Sequence, residues 1–222
     1  MGEYGAIYAK ALAEFKAKQQ KAASSGGNSP QPPSKDAIFL EHVLEDWAQA
    51  TEALNGGFNS QVVRRTLARA VFAAAEGAIS VLKNECLRKA KVLPTIYTDA
   101  ELAVLKEEQY GVREDGTAHT RPLSVPTLAN LRFAVAMVVR HPPGLRFSLD
   151  TGGGEWRALR DALQIRHRVT HPRTIEDSTI ADDDLGALIA GGFWFVGVIR
   201  DLTVAVQNAV IAYRRSHPNE PA

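Results

Sequence analysis

Apolar residues recur at helical spacing along most of this chain, and polar or glycine-proline breaks separate the runs. From Asp36 to Leu54 the apolar set is Ile38, Phe39, Val43, Leu44, Trp47 and Leu54, with Asp36 placed to cap the start and Gly56-Gly57 to stop the run. Ser60–Val92 continues through Val63, Leu67, Val71, Ala74, Ala78 and Leu82 until Pro94. Its many alanines predict a central helix that neighbours approach closely. Thr98-Asp-Ala-Glu101 reads as a capping box opening a short helix that ends near Gln109. Ser124–Arg140 takes Pro126 into its first turn and carries Leu128, Leu131, Phe133, Val135, Met137 and Val138. Glu155–Pro172 and Leu185–Arg215 are the last two helical runs.

Tyr110–Val125, with Gly111, Gly116, Pro122 and mixed charges, reads as a surface loop or hairpin in which His119 is solvated. No strand run of convincing length appears. The pattern therefore predicts an all-α protein, an up-and-down bundle of about five to six helices over residues 36–216. Ahead of it, Tyr4–Ala23 forms a modest amphipathic helix with Ile7, Leu12 and Phe15, and Ser24–Lys35 is a flexible linker. That first helix either docks elsewhere or frays. Residues 217–222 form a tail.

Composition narrows the function classes. At 222 residues the chain can bury a sizeable core unaided, and a net charge of +1 gives no overall basic field for nonspecific DNA binding. Cys86 is the only cysteine, which excludes an internal disulfide and makes a Cys/His zinc site a poor reading. With no secretory signal at Tyr4–Gln20, the expected compartment is the cytoplasm. Leu185–Ile199 is membrane-like but shorter than the roughly 20 residues a span needs, and Arg200-Asp201 closes it. A buried bundle helix, with no membrane partner, is expected there. Gly152-Gly-Gly154 lacks phosphate-loop spacing, and Asp182-Asp-Asp184 is explained as a helix cap, so neither a nucleotide cofactor nor a metal is expected.

Candidate chemistry gathers in Glu155–Pro172. At about 100° per residue, Arg160, Gln164, His167 and His171 fall in one polar stripe, while Trp156, Leu159, Ala162, Leu163 and Val169 spread over the apolar side. Arg166 lands within the apolar side, where a guanidinium needs a carboxylate, an interface or an anion-holding cleft. Glu76, between Phe72 and Ile79, is the expected partner. Pro172 disfavours helical geometry at His171, so the helix should end there and free the imidazole from its register.

Arg166-His-Arg-Val-Thr-His171 followed by Pro172, an Arg-x4-His pattern at a helix end, resembles the signature of the HEPN superfamily of helical nucleotide-binding domains. The family pattern allows four to six residues between Arg and His, so Arg113 to His119 and Arg160 to His167 fit it too, but the first crosses a loop and the second lies in mid-helix without the following Pro. The resemblance implies a HEPN-like bundle and a metal-independent endoribonuclease acting on RNA, with a toxin or defence role. Its implied catalytic residues are Arg166, His171 and His167, with Arg160, Arg168 and Arg173 along the RNA backbone. One Arg-His pair supplies half of an acid-and-base set, so a homodimer is implied, as is a protein antitoxin or regulator. Some members carry a Tyr two residues after the His, the target of a modifying antitoxin; Arg173 stands there here and does not fit that pairing. The alternative is a catalytically silent helical module that binds RNA, a nucleotide or a protein; a purely structural dimerisation domain is a third reading.

Overall fold

The computed structural model describes residues 35–217. The expected helix at 4–23, the linker up to residue 34 and the tail beyond His217 lie outside the described residues. The described chain is all-α apart from one hairpin. Its six helices are α1 Lys35–Asn55, α2 Gln61–Val92, α3 Asp99–Leu105, α4 Thr127–Val139, α5 Gly154–Thr170 and α6 Asp182–Ser216. The hairpin pairs β1 Glu108–Val112 with β2 Ala118–Pro122, antiparallel, with Gln109 opposite Arg121 and Gly111 opposite His119.

The chain forms two compact units, and the division falls inside α2 and inside α6. The first comprises the described residues up to Gly77 with Gly152–Phe195. Small residues let its helices approach. A methyl group on Gly191 would lie 2.7 Å from Leu159 Cα, and one on Gly192 would lie 3.2 Å from the Trp47 ring. Trp47 then meets Phe193 edge-on at 5.3 Å, and Trp156 meets Trp194 at 5.5 Å. Leu67, Phe72, Ala162, Ile180 and Leu188 are sealed from solvent. Burying Trp47, Leu67, Phe72, Ile180 and Leu188 contributes roughly 1.5–3 kcal/mol each before chain entropy is counted.

The second unit comprises Ala78–Thr151 and the described residues from Val196 to His217. Leu131, Ala134, Val135 and Cys86 are buried in it, and the Tyr97 hydroxyl donates to Met137 C=O at 3.1 Å. Burial pushes the Cys86 thiol and the Tyr97 hydroxyl up from their ordinary pKa values, so both stay protonated near neutrality. The capping box on α3 is formed, with Thr98 Oγ1 accepting from Glu101 N–H and Glu101 accepting from Thr98 N–H.

The short helix ends at Leu105, not near Gln109, and of the loop or hairpin expected over Tyr110–Val125 the structure has the hairpin, its first strand already beginning at Glu108. The turn explains the hairpin: Gly116 N–H bonds Arg113 C=O, Gly116 has φ +80°, and Asp115 Oδ1 accepts from Thr117 N–H and Oγ1. Asp-Gly in a short turn is a hairpin signal. Gly111 suits its strand because the His119 ring lies across it, where a methyl group would sit 2.9 Å from His119 Cε1.

Candidate functional site

The motif helix α5 lies wholly in the first unit and is the most strongly two-sided of the sequence readings. It buries Trp156, Leu159, Ala162, Ile165 and Val169; Ile165 takes the deep position that Leu163 was expected to share. Arg160, Gln164, His167 and His171 are exposed on the opposite side. His171 has left the helical register, at φ −126° and ψ 58°, while its N–H still bonds His167 C=O at 3.1 Å. The His167 and His171 rings lie 5.5 Å apart, edge to face. Two imidazoles are therefore presented together at the helix exit.

Arg166 is half-buried. Its Nη2 lies 3.4 Å from Glu76 Oε1 on α2, a long contact between side chains that are 34% and 49% exposed. A pair of that kind orients the guanidinium more than it stabilises the fold. Among the described residues no hydrogen bond or ion pair joins Arg166 to either imidazole, and helical geometry sets neighbouring side chains about 100° apart. One chain thus displays the arginine on the flank and the imidazoles beside it.

The remaining basic residues divide. Arg173 is exposed, with its backbone fixed because Asp177 Oδ2 accepts from Arg173 N–H and Thr174 N–H. Arg160 approaches the neighbouring Asp161 at 3.8 Å. Arg168 is committed to Asp184 at 2.6 Å, so less of its charge is free for a phosphate. The three aspartates that open α6 diverge: Asp182 pairs with Arg64, while Asp184 takes Arg168 and the Ala181 N–H. Among the described residues no group of His, Cys, Asp and Glu is arranged to hold a metal.

Sequence reasoning missed what fixes the chain after His171. Arg64 is only 8% exposed, and its fork donates to Asn59 Oδ1 at 2.7 Å, Ile180 C=O at 2.8 Å and Asp182 Oδ1 at 2.5 Å. Gln61 bonds both the C=O and the N–H of Ile180, and Arg65 donates to Ser178 C=O. The first turn of α2 thereby clamps the segment that leaves the motif. Ile180 is fully enclosed, whereas the nearby Ile175 is exposed, a difference that the sequence does not mark.

A cavity of about 580 Å³ in the same unit lies elsewhere, between α1 and α2, floored by Ala50 and Ala70 and edged by Asp46 and Arg69. By length and composition α6 carries a stretch long and apolar enough to cross a membrane, although Leu188, Gly191 and Phe195 within it are packed in the first unit. No family model, curated protein or solved structure matches the chain.

Proposed function

We propose that this protein is a metal-independent endoribonuclease of the HEPN type, acting on RNA as a homodimer, with a toxin or defence role. The observation that carries the reading is the pair of exposed imidazoles at the exit of α5, one turn apart and next to a half-exposed arginine that Glu76 orients. RNA brings its own nucleophile, the ribose 2′-OH, beside its own electrophile, the phosphate. The protein needs only to move protons and steady charge.

One imidazole accepts the 2′-OH proton as the oxygen attacks phosphorus, and another donates a proton to the departing 5′-oxygen. The products are a 2′,3′-cyclic phosphate and a 5′-OH. Arg166 holds the nonbridging oxygens as charge builds on them. Pairing of α5 with its mate across a two-fold axis supplies a second Arg166 and a second imidazole pair. Arg173 and Arg160 guide the RNA backbone, and the share of Arg168 is reduced by Asp184. The same carboxylates favour a second reading, a silent RNA- or protein-binding module, because Glu76 and Asp184 already occupy two of the motif's cations.

Incubation with structured RNA in EDTA tests both. Cleavage should leave 2′,3′-cyclic phosphate ends and fall by roughly 100-fold or more in His171→Ala and in Arg166→Ala. Cleavage that requires Mg²⁺, or that survives both substitutions, overturns the nuclease reading. RNA retention by wild type without any cleavage establishes the silent module.

A further inference from the structure

We infer that the segment Tyr4–Ala23 of this same chain folds back as a helix onto the open groove between α1 and α2, antiparallel to α1. Both walls of that groove are spaced to receive a helix. Asp46, Gln49 and Ala53 recur along α1 at intervals of three and four residues, and Val63, Thr66, Ala70 and Ala73 do the same along α2. Such alternation is the seam that helices present to one another. Phe39, two turns before Asp46, continues the α1 stripe; its ring lies against Gly77, yet it is 47% exposed. Val62, one turn before Thr66, is 65% exposed at the other end. Between those ends the groove is lined by alanines, so large side chains are needed to fill it to interior density.

The charges select the occupant. Glu41, Glu45, Asp46 and Glu52 stand exposed on α1, and none forms an ion pair among the described residues. Lys35 is the only lysine or arginine on that helix. Tyr4–Ala23 has the opposite balance, with Lys10, Lys16, Lys18 and Lys21 against Glu14 alone. At helical spacing it also brings Ile7, Tyr8, Leu12 and Phe15 onto one face. Large apolar side chains thus meet alanines, and ammonium groups meet carboxylates that lack a partner.

Chain length and connection fit as well. A helix over Tyr4–Ala23 would be about 30 Å long, and α1, with 21 residues, is about as long. Residues 24–34 join the two and can reach up to roughly 35 Å, several times the roughly 8–10 Å between packed helix axes. Because the join falls at the start of α1, the segment has to run back along it. A short tether gives a segment an effective concentration on the order of millimolar, so the chain's own copy prevails over one from a second molecule in dilute solution. The inference does not depend on the nuclease reading.

Paramagnetic broadening in the full chain reads the contact. Cys86 is sealed from solvent and takes no label, so a nitroxide can be placed on Gln49→Cys at the groove edge. In isotope-labelled protein it should broaden the amide signals of residues 4–23. A mixture of nitroxide-bearing chains without isotope and isotope-labelled chains without nitroxide should show no such broadening. Phe15→Asp should abolish the effect and lower hydrogen-exchange protection across residues 4–23 at least tenfold, with the protection of α5 unchanged. Glu45→Lys combined with Asp46→Lys should weaken both signals, and added salt should act in the same direction. Broadening in the mixture would name a second copy as the occupant and overturn the proposal. So would the absence of broadening in either sample, or broadening and protection that survive Phe15→Asp.

Discussion

Arg64 and Lys83 both sit on α2, at 8% and 2% exposure, and each holds an irregular segment of its own unit, but they do so by different means. Arg64 spreads a planar fork over a side-chain amide, a backbone carbonyl and a carboxylate, and Gln61 and Arg65 add further bonds to the same segment. Lys83 is a point charge that meets Glu107 Oε1 at 2.8 Å and Asn130 Oδ1 at 3.1 Å. Glu107 stands in the left-handed region at φ 57°, at the joint between α3 and β1, and Lys83 holds its carboxyl below the usual range against the opposing effect of burial. Arginine can bind backbone and side chain at once, which lysine's single head does less well. The segment after the motif is consequently fixed at several points, and the start of the hairpin by the single Lys83 head. A helix exit held that firmly suits positioning.

The largest expected effect is at the clamp. Arg64→Ala removes one of the two donors to Ile180 C=O, the other being Gln61 Nε2, together with the donor to Asn59 Oδ1, and should cost about 2 kcal/mol in chemical denaturation. Asp182 adds little to that figure because it is 88% exposed. Lys83→Met should cost less, about 1 kcal/mol, because an apolar side chain fills the space and Glu107, 54% exposed, regains water. If Lys83→Met proved the more damaging of the two, the contrast between a distributed and a single-point anchor would be wrong.

Weaker still is Glu76→Ala, expected to cost no more than about 0.5 kcal/mol, since its contact with Arg166 is long and half-exposed. Its effect should show instead in RNA cleavage; unchanged stability together with unchanged cleavage removes Glu76 from the site. The smallest change comes from acid. Arg140, followed by the Thr98 N–H, holds the Glu101 carboxyl at about 2 against an ordinary 4.5. A carboxyl lowered in the fold stabilises it fully above about pH 4.5 and progressively less as pH falls towards 2. Glu101→Gln should flatten that part of the stability profile, and salt should do so in part because the pair lies at the surface.

Legibility followed sequence distance. The capping box at Thr98 and Glu101 spans four residues, and every partner it needs is inside it. The two-sided character of α5 was equally open to view, since periodicity alone sorts Trp156 and Val169 from Gln164 and His171. Arg64 and Lys83, by contrast, look like ordinary wet-face cations until their acceptors arrive from 116 and 24 residues away. The hairpin was half-legible: Asp115-Gly116 marks the turn, but a short polar strand such as Glu108–Val112 carries too little alternation to declare a ladder.

By itself, then, the sequence determined the helices, their main stops, and the placing of an arginine and two histidines about a helix end, because these rest on local spacing and on proline and capping chemistry. Only the tertiary structure decided that the chain beyond His171 is held by Arg64 and Gln61, and that Lys83 reaches Glu107 and Asn130. Those outcomes depend on groups far apart in the chain meeting in space, and a linear pattern does not encode which distant acceptor a buried donor will find.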